Sequence, residues 1–284
     1  MKVAFATSRD LPGGWDDDRE AARLAGAEFA IWDDPTVEWE ACDRVVIRSA
    51  WDYSRRIDEF LAWCAAVGPE LLRNVPDLVA FDADKRYLGE LRARTAPTTF
   101  VAPGDPLPEL SGEVVVKPNV SAGARDTGRF GPAGHAEALA LVERIRSSGR
   151  VAIVQAYLAD VDRGGETALV FIAGELSHVL RKRPVLRGEG VAPLGDDAHG
   201  PAAAMLEDGL VMPGSAEPAQ RGFAEAVLTE VTEPFGTPLY ARVDVAHDDD
   251  GLPVLMELEA IEPCLYLDLV PGAAERFARA VLAP

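Results

Sequence analysis

Hydrophobic and polar positions alternate in distinct rhythms along the chain. Short, nearly unbroken apolar runs at Lys2–Thr7, Glu28–Trp32 and Arg44–Arg48 read as buried strands, and Asp16–Ala25 reads as a helix with acidic residues in its first turn. This β-α-β order predicts an α/β domain with a parallel sheet and a ligand site beyond the strand C-terminal ends. Helical spacing returns at Arg56–Ala66, Asp82–Thr95, His135–Ser147, Ala219–Val231 and Ala273–Leu282, with Ala138, Leu139, Val142 and Ile145 as the core side of one helix. Ala96–Val101, Glu113–Lys117 and Val151–Tyr157 read as strands, and Glu166–Ile172 with Glu175–Lys182 as a hairpin across Ala173-Gly174. Val75–Val79 reads as a connector, Leu158–Gly165 as a polar linker, and the Gly-, Pro- and Asp-rich stretch 185–214 as a loop. The expected division is an N-terminal domain over 1–79, a small lobe over 80–158 and a large lobe over 159–284.

The last hairpin carries charge where a purely structural hairpin needs none. Leu239–His247 sets Ala241, Val243 and Val245 on one face and Tyr240, Arg242 and Asp244 on the other, and Asp248-Asp249-Asp250-Gly251 supplies the turn. The return strand, Leu252–Glu259, has Val254, Met256 and Leu258 on one face and Leu255, Glu257 and Glu259 on the other. Keeping both apolar sets together predicts Arg242 opposite Glu257, with Asp244 one step along the ladder. Two bare carboxylates about 4 Å apart repel by roughly 4 kcal/mol at an effective dielectric of about 20. Three on one patch favour cations, Mg²⁺ above all among hard ions with oxygen ligands; the plainer alternative is the solvated face of an antiparallel pair.

Composition narrows the partners. With 284 residues, 48% hydrophobic and 26% charged, the chain is an ordinary folded one, and a net charge of −19 argues against nucleic acid or an anionic membrane as partner. Cys42, Cys64 and Cys264 suit reduced thiols better than a disulfide framework or a zinc site. MKVAFATSRD has only a strand's length of apolar residues, which predicts neither a signal peptide nor an anchor and hence a cytoplasmic protein. Of 28 basic residues only Lys2, Lys85, Lys117 and Lys182 are lysine, marking places where a compact point charge is needed.

Several segments carry candidate chemistry. After the third strand come Arg48, Ser49, Ala50, Trp51, Asp52 and Tyr53: Arg48 suits a substrate carboxylate, Asp52 an ammonium, and Trp51 and Tyr53 the walls of a pocket that also includes Ser49. Equally, the Trp packs between domains and the Asp caps the helix that follows. No G-x-G-x-x-G follows the first strand and no Gly-Lys-Ser/Thr occurs anywhere, which speaks against a dinucleotide fold and a P-loop. The run 119–134, NVSAGARDTGRFGPAG, with Ser121 and Gly123, can lay backbone N–H groups along phosphates, although an ordinary surface loop has the same composition. The backbone of Gln155, Ala156, Tyr157 and Leu158 can read an adenine edge, and Asp162 or Asp160 can accept from a ribose hydroxyl. Arg181-Lys182-Arg183 is either a phosphate clamp or a solvated strand end, and His178 is a structural or substrate-lining strand residue rather than a metal ligand.

Taken in order, Lys85, Lys117 with its Gly-rich loop, Gln155–Leu158, Glu166, Lys182, Arg242, Asp244, Glu257 and Glu259 resemble the ATP-grasp superfamily of carboxylate–amine ligases over residues 80–262. The resemblance implies a two-lobed α+β ATP-grasp module after an N-terminal substrate domain. It implies that Lys85 and Lys117 contact ATP phosphates, that the loop with Ser121 and Gly123 closes over them, and that Gln155, Ala156, Tyr157 and Leu158 hold adenine. It further implies Asp162 at the ribose, Glu166 at the nucleotide, Lys182 and Arg242 at the phosphates and acyl phosphate, and Asp244, Glu257 and Glu259 around two Mg²⁺ ions. The superfamily usually has Asn as third metal ligand, in an E-x-N pattern, where this chain has Glu257-Leu258-Glu259. ELEAIEP together with RSAWDY is similar to the group that includes the O-ureido-D-serine cyclo-ligase of D-cycloserine biosynthesis. The implied activity is ATP-dependent amide formation through an acyl phosphate, in an intermolecular or ring-closing form, on a small amino-acid-like substrate, by a monomer or homodimer. Phosphotransfer without ligation and non-catalytic nucleotide binding are the alternatives.

Overall fold

The computed structural model describes residues 1–193 and 203–284. Elements are numbered in chain order. Strands β1 (Val3–Thr7), β2 (Ala27–Ile31), β3 (Arg44–Ile47) and β4 (Leu72–Arg73) form a parallel sheet in the order β2-β1-β3-β4. β1 is buried along its whole length, which is why it is apolar from Val3 to Ala6 rather than alternating, with Thr7 as its one polar position. Helix α1 (Asp16–Ala25) crosses from β1 to β2 and ends at Gly26, whose φ of 62° supplies the left-handed turn that closes a helix. Helix α2 (Ile57–Val67) follows β3, and α3 (Pro76–Ala83) follows β4.

The second sheet comprises β5 (Thr98–Val101), β6 (Val114–Pro118), β7 (Gly128–Phe130), β8 (Ala152–Ala156) and the distant β11 (Gly190–Val191), in the order β11-β7-β6-β8-β5. Helix α4 (His135–Ser147) backs it, packing Ala138, Leu141, Val142 and Ile145 onto Val114, Val116 and Val154. A short helix α5 (Asp160–Gly164) occupies what the pattern predicts to be a linker and leads into the third sheet.

That sheet is antiparallel: β9 (Glu166–Ile172), β10 (Glu175–Lys182), β12 (Val211–Pro213), β13 (Tyr240–His247) and β14 (Pro253–Glu259), in the order β12-β10-β9-β13-β14. Helix α6 (Pro218–Phe235), four residues longer at its C-terminus than its periodicity predicts, covers one face. Helix α7 (Ala273–Leu282) covers the other and packs Phe277 on Phe5 of β1, so one core joins the N-terminal sheet to the large sheet.

Three expectations change. Residues 76–95 are not a connector and a long helix: α3 and a single tight turn over Lys85–Gly89 place Leu78, Tyr87 and Leu88 in the core of the large sheet, and Tyr87 Oη bonds both Leu258 O and Leu258 N. The small lobe's sheet therefore starts at Thr98. The register of the last hairpin also differs, since Arg242 lies opposite Glu259 and Asp244 opposite Glu257, while Val245 faces Leu255. Met256 is the extra residue of a β-bulge, and that extra residue lets Leu255 and Leu258 both enter the core while Glu257 and Glu259 face the cavity. Finally, the expected loop over 185–214 lies partly outside the described residues; within them it contains β11, a short helical turn over Ala203–Leu206 and β12.

Candidate active site

A cavity of about 640 Å³ opens between the three sheets. Its charged end is built by β13 and β14, whose antiparallel pairing sets Asp244, Glu257 and Glu259 so that one oxygen from each lies within 4.8 Å of the others. Asp244, fully buried, accepts from Arg242 Nε and Nη2 at 2.9 and 3.0 Å and from Lys182 Nζ at 2.5 Å. Burial would raise its pKa, but Arg242 and Lys182 outweigh that and hold it at about 2. Glu259 pairs with Arg242 Nη2, and burial, with Glu257 and Asp244 adding to it against Arg242, pushes its carboxyl up to about 7. Glu257 lies 3.2 Å from Lys85 Nζ; burial works against its charge, yet Lys85, Lys117 and Lys182 keep it below the usual carboxylate range.

The cations come from three elements. Lys182 ends β10, pairs with Glu166 across the hairpin at 3.0 Å as well as with Asp244, and Lys85 donates to the Ser121 carbonyl at 2.7 Å, tethering the Gly-rich loop to the carboxylates. Lys117 leaves β6 toward the cavity and forms no ion pair among the described residues; burial lowers its pKa, with Glu257 offsetting part of the effect. Ser121 and Gly123 line the same end, and Gly123 has a φ of 63°, a left-handed conformation that costs glycine nothing, whereas the next residue, Ala124, adopts it at 56° against its own side chain.

Gln155, Ala156, Tyr157 and Leu158 line the opposite, largely apolar wall with Val115, Met256 and Leu258. The Ala156 and Tyr157 N–H groups already donate to Pro97 O and Glu113 O at 2.9 Å each, so Leu158 is the member of this group whose N–H meets no acceptor among the described residues. Asp162 does not reach the cavity. Arg129 holds both its oxygens, at 2.8 and 2.7 Å, and Tyr157 Oη donates to it at 2.7 Å, so the predicted ribose contact is replaced by an ion pair that locks α5 to the small lobe.

The segment after β3 splits. Trp51, Asp52 and Tyr53 line the cavity; Arg48 and Ser49 do not. Arg48 is 1% exposed and its guanidinium donates to Asp18 Oδ1 and Pro263 O, both at 2.8 Å, because a charge this deep needs acceptors on both sides. Ser49 Oγ accepts from Trp15 N at 2.9 Å and donates to Asp18 at 3.2 Å. Asp52 does not cap α2, since its Oδ1 accepts from Trp32 Nε1 at 2.9 Å.

These contacts belong to a clamp on the chain leaving β14. Asn74 Nδ2 donates to Ala260 O at 2.7 Å, Tyr240 Oη to Ile261 O at 2.7 Å, Trp51 Nε1 to Glu262 O at 3.3 Å, Arg48 to Pro263 O, Arg242 Nη1 to Cys264 O at 2.9 Å, and His178 Nε2 to Leu265 O at 2.7 Å. Asp17 then accepts from the N–H of Tyr266, whose φ is 51°. Successive carbonyls are thus held by six different side chains, and the segment forms a fixed cavity wall. Sequence reasoning misses Glu262, Tyr266 and Trp15, all of which line the cavity, as well as Asp82. The signals for them along the chain are the ELEAIEP wording itself and the Pro12-Gly13-Gly14 turn just before Trp15.

A carboxylate trio of oxygen donors, each oxygen retaining lone pairs, fits a hard divalent cation, and the surrounding lysines and arginine fit polyphosphate. Comparison with known proteins agrees. Residues 3–74 match the family model described as the N-terminal domain of D-cycloserine synthetase DcsG. The chain is 35% identical to the cycloserine biosynthesis protein DcsG of Streptomyces lavendulae, with 92% of this chain and 90% of the relative covered. The crystal structure of D-cycloserine synthetase DcsG superposes with a TM-score of 0.84 at 32% identity, covering 99% of this chain and 98% of that one. A RimK-domain ATP-grasp protein from Sphaerobacter thermophilus (TM-score 0.64, 16% identity, both chains covered at 100%) shares the architecture. So does D-alanine–D-alanine ligase from Bacillus anthracis complexed with ATP (TM-score 0.63, 12% identity, 99% and 94% covered). The expected α/β ATP-grasp architecture is present, and the chain belongs to the DcsG family of ATP-dependent ATP-grasp C–N ligases.

Proposed function

We propose that this ligase activates the carboxylate of O-ureido-D-serine as an acyl phosphate and closes the ring of D-cycloserine with one of the substrate's own nitrogens. The observation that carries the reading is the convergence of Asp244, Glu257 and Glu259 with Lys85, Lys117, Lys182 and Arg242 at one end of a cavity whose opposite wall is largely apolar. The relatives' names, D-cycloserine synthetase and cycloserine biosynthesis protein, support the choice of product.

In this reading Lys85 and Lys117 face the phosphates of ATP, with the backbone around Ser121 and Gly123 along them, and the wall from Gln155 to Leu158 takes the adenine, the Leu158 N–H being its free donor. Asp244, Glu257 and Glu259 would hold two Mg²⁺ ions, which would supply positive charge against the phosphates. Arg242 and Lys182 place positive charge where the transferring phosphoryl group and the acyl phosphate develop theirs. A substrate carboxylate oxygen bonds to the γ-phosphorus as the bond to the β–γ bridging oxygen breaks and ADP leaves. The substrate nitrogen then bonds to the acyl carbon, gives up its proton, and phosphate departs. Closure through the nitrogen next to oxygen leaves the carbamoyl group on the ring, and hydrolysis of that group completes the product. Positioning and fixed charge account for the rate, and no side-chain nucleophile is required.

Incubation with Mg·ATP, O-ureido-D-serine and hydroxylamine, scored for ADP, hydroxamate and D-cycloserine by mass spectrometry, tests this. Stoichiometric ADP with D-cycloserine or the hydroxamate is expected. A phosphorylated substrate that is stable to hydroxylamine would replace ligation by phosphotransfer, and absence of ADP would overturn the substrate.

A further inference from the structure

Glu262 is an acidic group of the cavity that the carboxylate trio does not use. It is 8% exposed and lines the cavity, and apart from its own backbone N–H its carboxylate has no hydrogen bond or ion pair among the described residues. The neighbouring acids have partners: Glu166 has Lys182, Glu257 Lys85, Glu259 Arg242, Asp52 Trp32, and Asp82 the Ala260 N–H through Oδ2, its Oδ1 alone being buried without one. Burial, then Glu259 and Asp82 against the pull of Lys85, pushes the Glu262 carboxyl up to about 8. A buried carboxylate without a partner is unfavourable, and one held facing a ligand cavity is suited to a cation that the ligand brings.

Geometry narrows that cation. In an α-amino acid the ammonium nitrogen lies about 2.5 Å from the carboxyl carbon, fixed by two bonds and one angle. Whatever takes the ammonium must therefore stand beside whatever meets the carboxylate. Glu262 stands three residues beyond Glu259 and lines the same cavity as Glu259 and Arg242. Its backbone cannot drift, because Trp51 holds its carbonyl and Arg48 holds the next one. Asp52, the other acid of suitable length, has its Oδ1 committed to Trp32 and its Oδ2 3.7 Å from Arg56. Resting on the ligase reading above, we propose that Glu262 receives the α-ammonium of the amino-acid substrate and makes the enzyme select an α-amino carboxylate over its amine-free analogue. The RSAWDY segment then serves recognition indirectly: Arg48 and Trp51 are positioning residues that aim Glu262.

The test pairs Glu262→Gln, nearly isosteric, with two ligands, O-ureido-D-serine and 3-(ureidooxy)propanoate, the same molecule without the amine. Wild type is expected to prefer the amine, in kcat/KM, by about 10- to 100-fold, the range of a hydrogen bond to a charged group. The variant should lose most of that preference through a raised KM for the amine compound, while its KM for ATP stays within about 3-fold. A purely structural role would weaken both ligands and ATP together and leave the preference unchanged, and that result would overturn the proposal. If the wild-type enzyme releases no ADP with either compound, the substrate named above has failed, and not Glu262. Calorimetry with the pairs D-alanine and propanoate, and D-serine and 3-hydroxypropanoate, in the presence of Mg²⁺ and a non-hydrolysable ATP analogue, then decides. A preference for the amine that Glu262→Gln abolishes upholds the assignment, and no preference, or one that survives the substitution, overturns it.

Discussion

Replacing Arg48 with alanine separates the two roles open to an arginine at the end of a strand. In the structure its side chain and that of Asp18 are 1% and 3% exposed and 2.8 Å apart, Nη2 holds the Pro263 carbonyl, and the guanidinium carbon lies 5.0 Å from the centroid of the Tyr240 ring. Nη1 has no acceptor, so the group is already less than fully satisfied. Removing one member of a buried pair strands the other, at a cost of about 3–5 kcal/mol. Asp17 compounds this, since burial and Asp18 already raise it to about 7 with Arg48 working to lower it. The lost bond to Pro263 overlaps that cost rather than adding to it in full, so about 4 kcal/mol is the expected total. For a chain of this size that corresponds to a fall in Tm of about 8–15 °C. Thermal unfolding followed by circular dichroism at pH 7.5 measures it, alongside Asp18→Asn and the double variant Arg48→Met with Asp18→Leu, which should recover most of the loss because an apolar pair of similar volume leaves no charge stranded. An Arg48→Ala protein whose Tm stays within about 2 °C of wild type, but whose KM for the amino-acid substrate rises tenfold, would refute the structural role and restore Arg48 to the substrate.

Other expectations follow the same geometry. Glu257→Gln should cut turnover by about 10²–10³-fold or more in a steady-state ADP-release assay while the far-ultraviolet spectrum stays that of wild type; normal turnover would remove Glu257 from the metal site. Asp52→Ala leaves the buried Trp32 Nε1 without its acceptor, so about 1–3 kcal/mol of stability should be lost with little change in KM, and a large selective rise in KM for the amino substrate would return Asp52 to recognition. Lys117→Ala should raise the KM for ATP at least about tenfold and more than the KM of the other substrate, since an ammonium facing phosphates has lost its only place there. His178 is buried with Nε2–H donating to Leu265 O, Nδ1 accepting from Ser177, and burial lowering its pKa below 6.5. The unfolded chain therefore binds the extra proton first, and the contribution of His178 to stability is full above pH 6.5 and is lost as pH falls toward its folded value, by at most about 1.4 kcal/mol per pH unit. His178→Gln, compared with wild type in chemical denaturation between about pH 7 and 5.5, should lack that slope; identical slopes would mean that the fold does not lower the pKa of His178.

Much of this architecture is legible in the amino-acid sequence. The unbroken apolar run of β1 from Val3 to Ala6 and the αL glycine after α1 set the parallel sheet, and the ordered lysines and the alternation of β13 bring Lys182, Arg242 and Asp244 to one place. What is not legible has a physical reason in each case. Period-2 reasoning counts residues and cannot see that two leucines three apart share one core, so the bulge at Met256 and the pairing of Arg242 with Glu259 escape it. Arg48 reads as a ligand-binding group because its partners, Asp18 and Pro263, lie 30 and 215 residues away. Asp162 reads as a ribose acceptor for want of any sign that Arg129, 33 residues earlier, takes it. Glu262 reads as part of a motif's wording because nothing in a linear chain shows that a carboxylate will be buried without a partner.

Two groups without an ion-pair partner, one basic and one acidic, give the cavity an order. Around the trio, Asp244, Glu257, Glu259 and Glu166 are met by Lys182, Arg242 and Lys85, so the charged end is held together by its own cations and can fold without a ligand. Among the described residues, Lys117 on one lobe and Glu262 on the other face the same cavity without an ion-pair partner. A cavity with an unpaired ammonium at one position and, at another, an unpaired carboxyl that becomes an anion when a cation meets it has a direction. Under the proposed function, phosphate is drawn to Lys117 and an ammonium to Glu262, and a carboxylate next to that ammonium is left in the cavity that Arg242 also lines. Attack on phosphorus needs only that alignment, and it is set by which charges the fold left unpaired rather than by any residue that reacts.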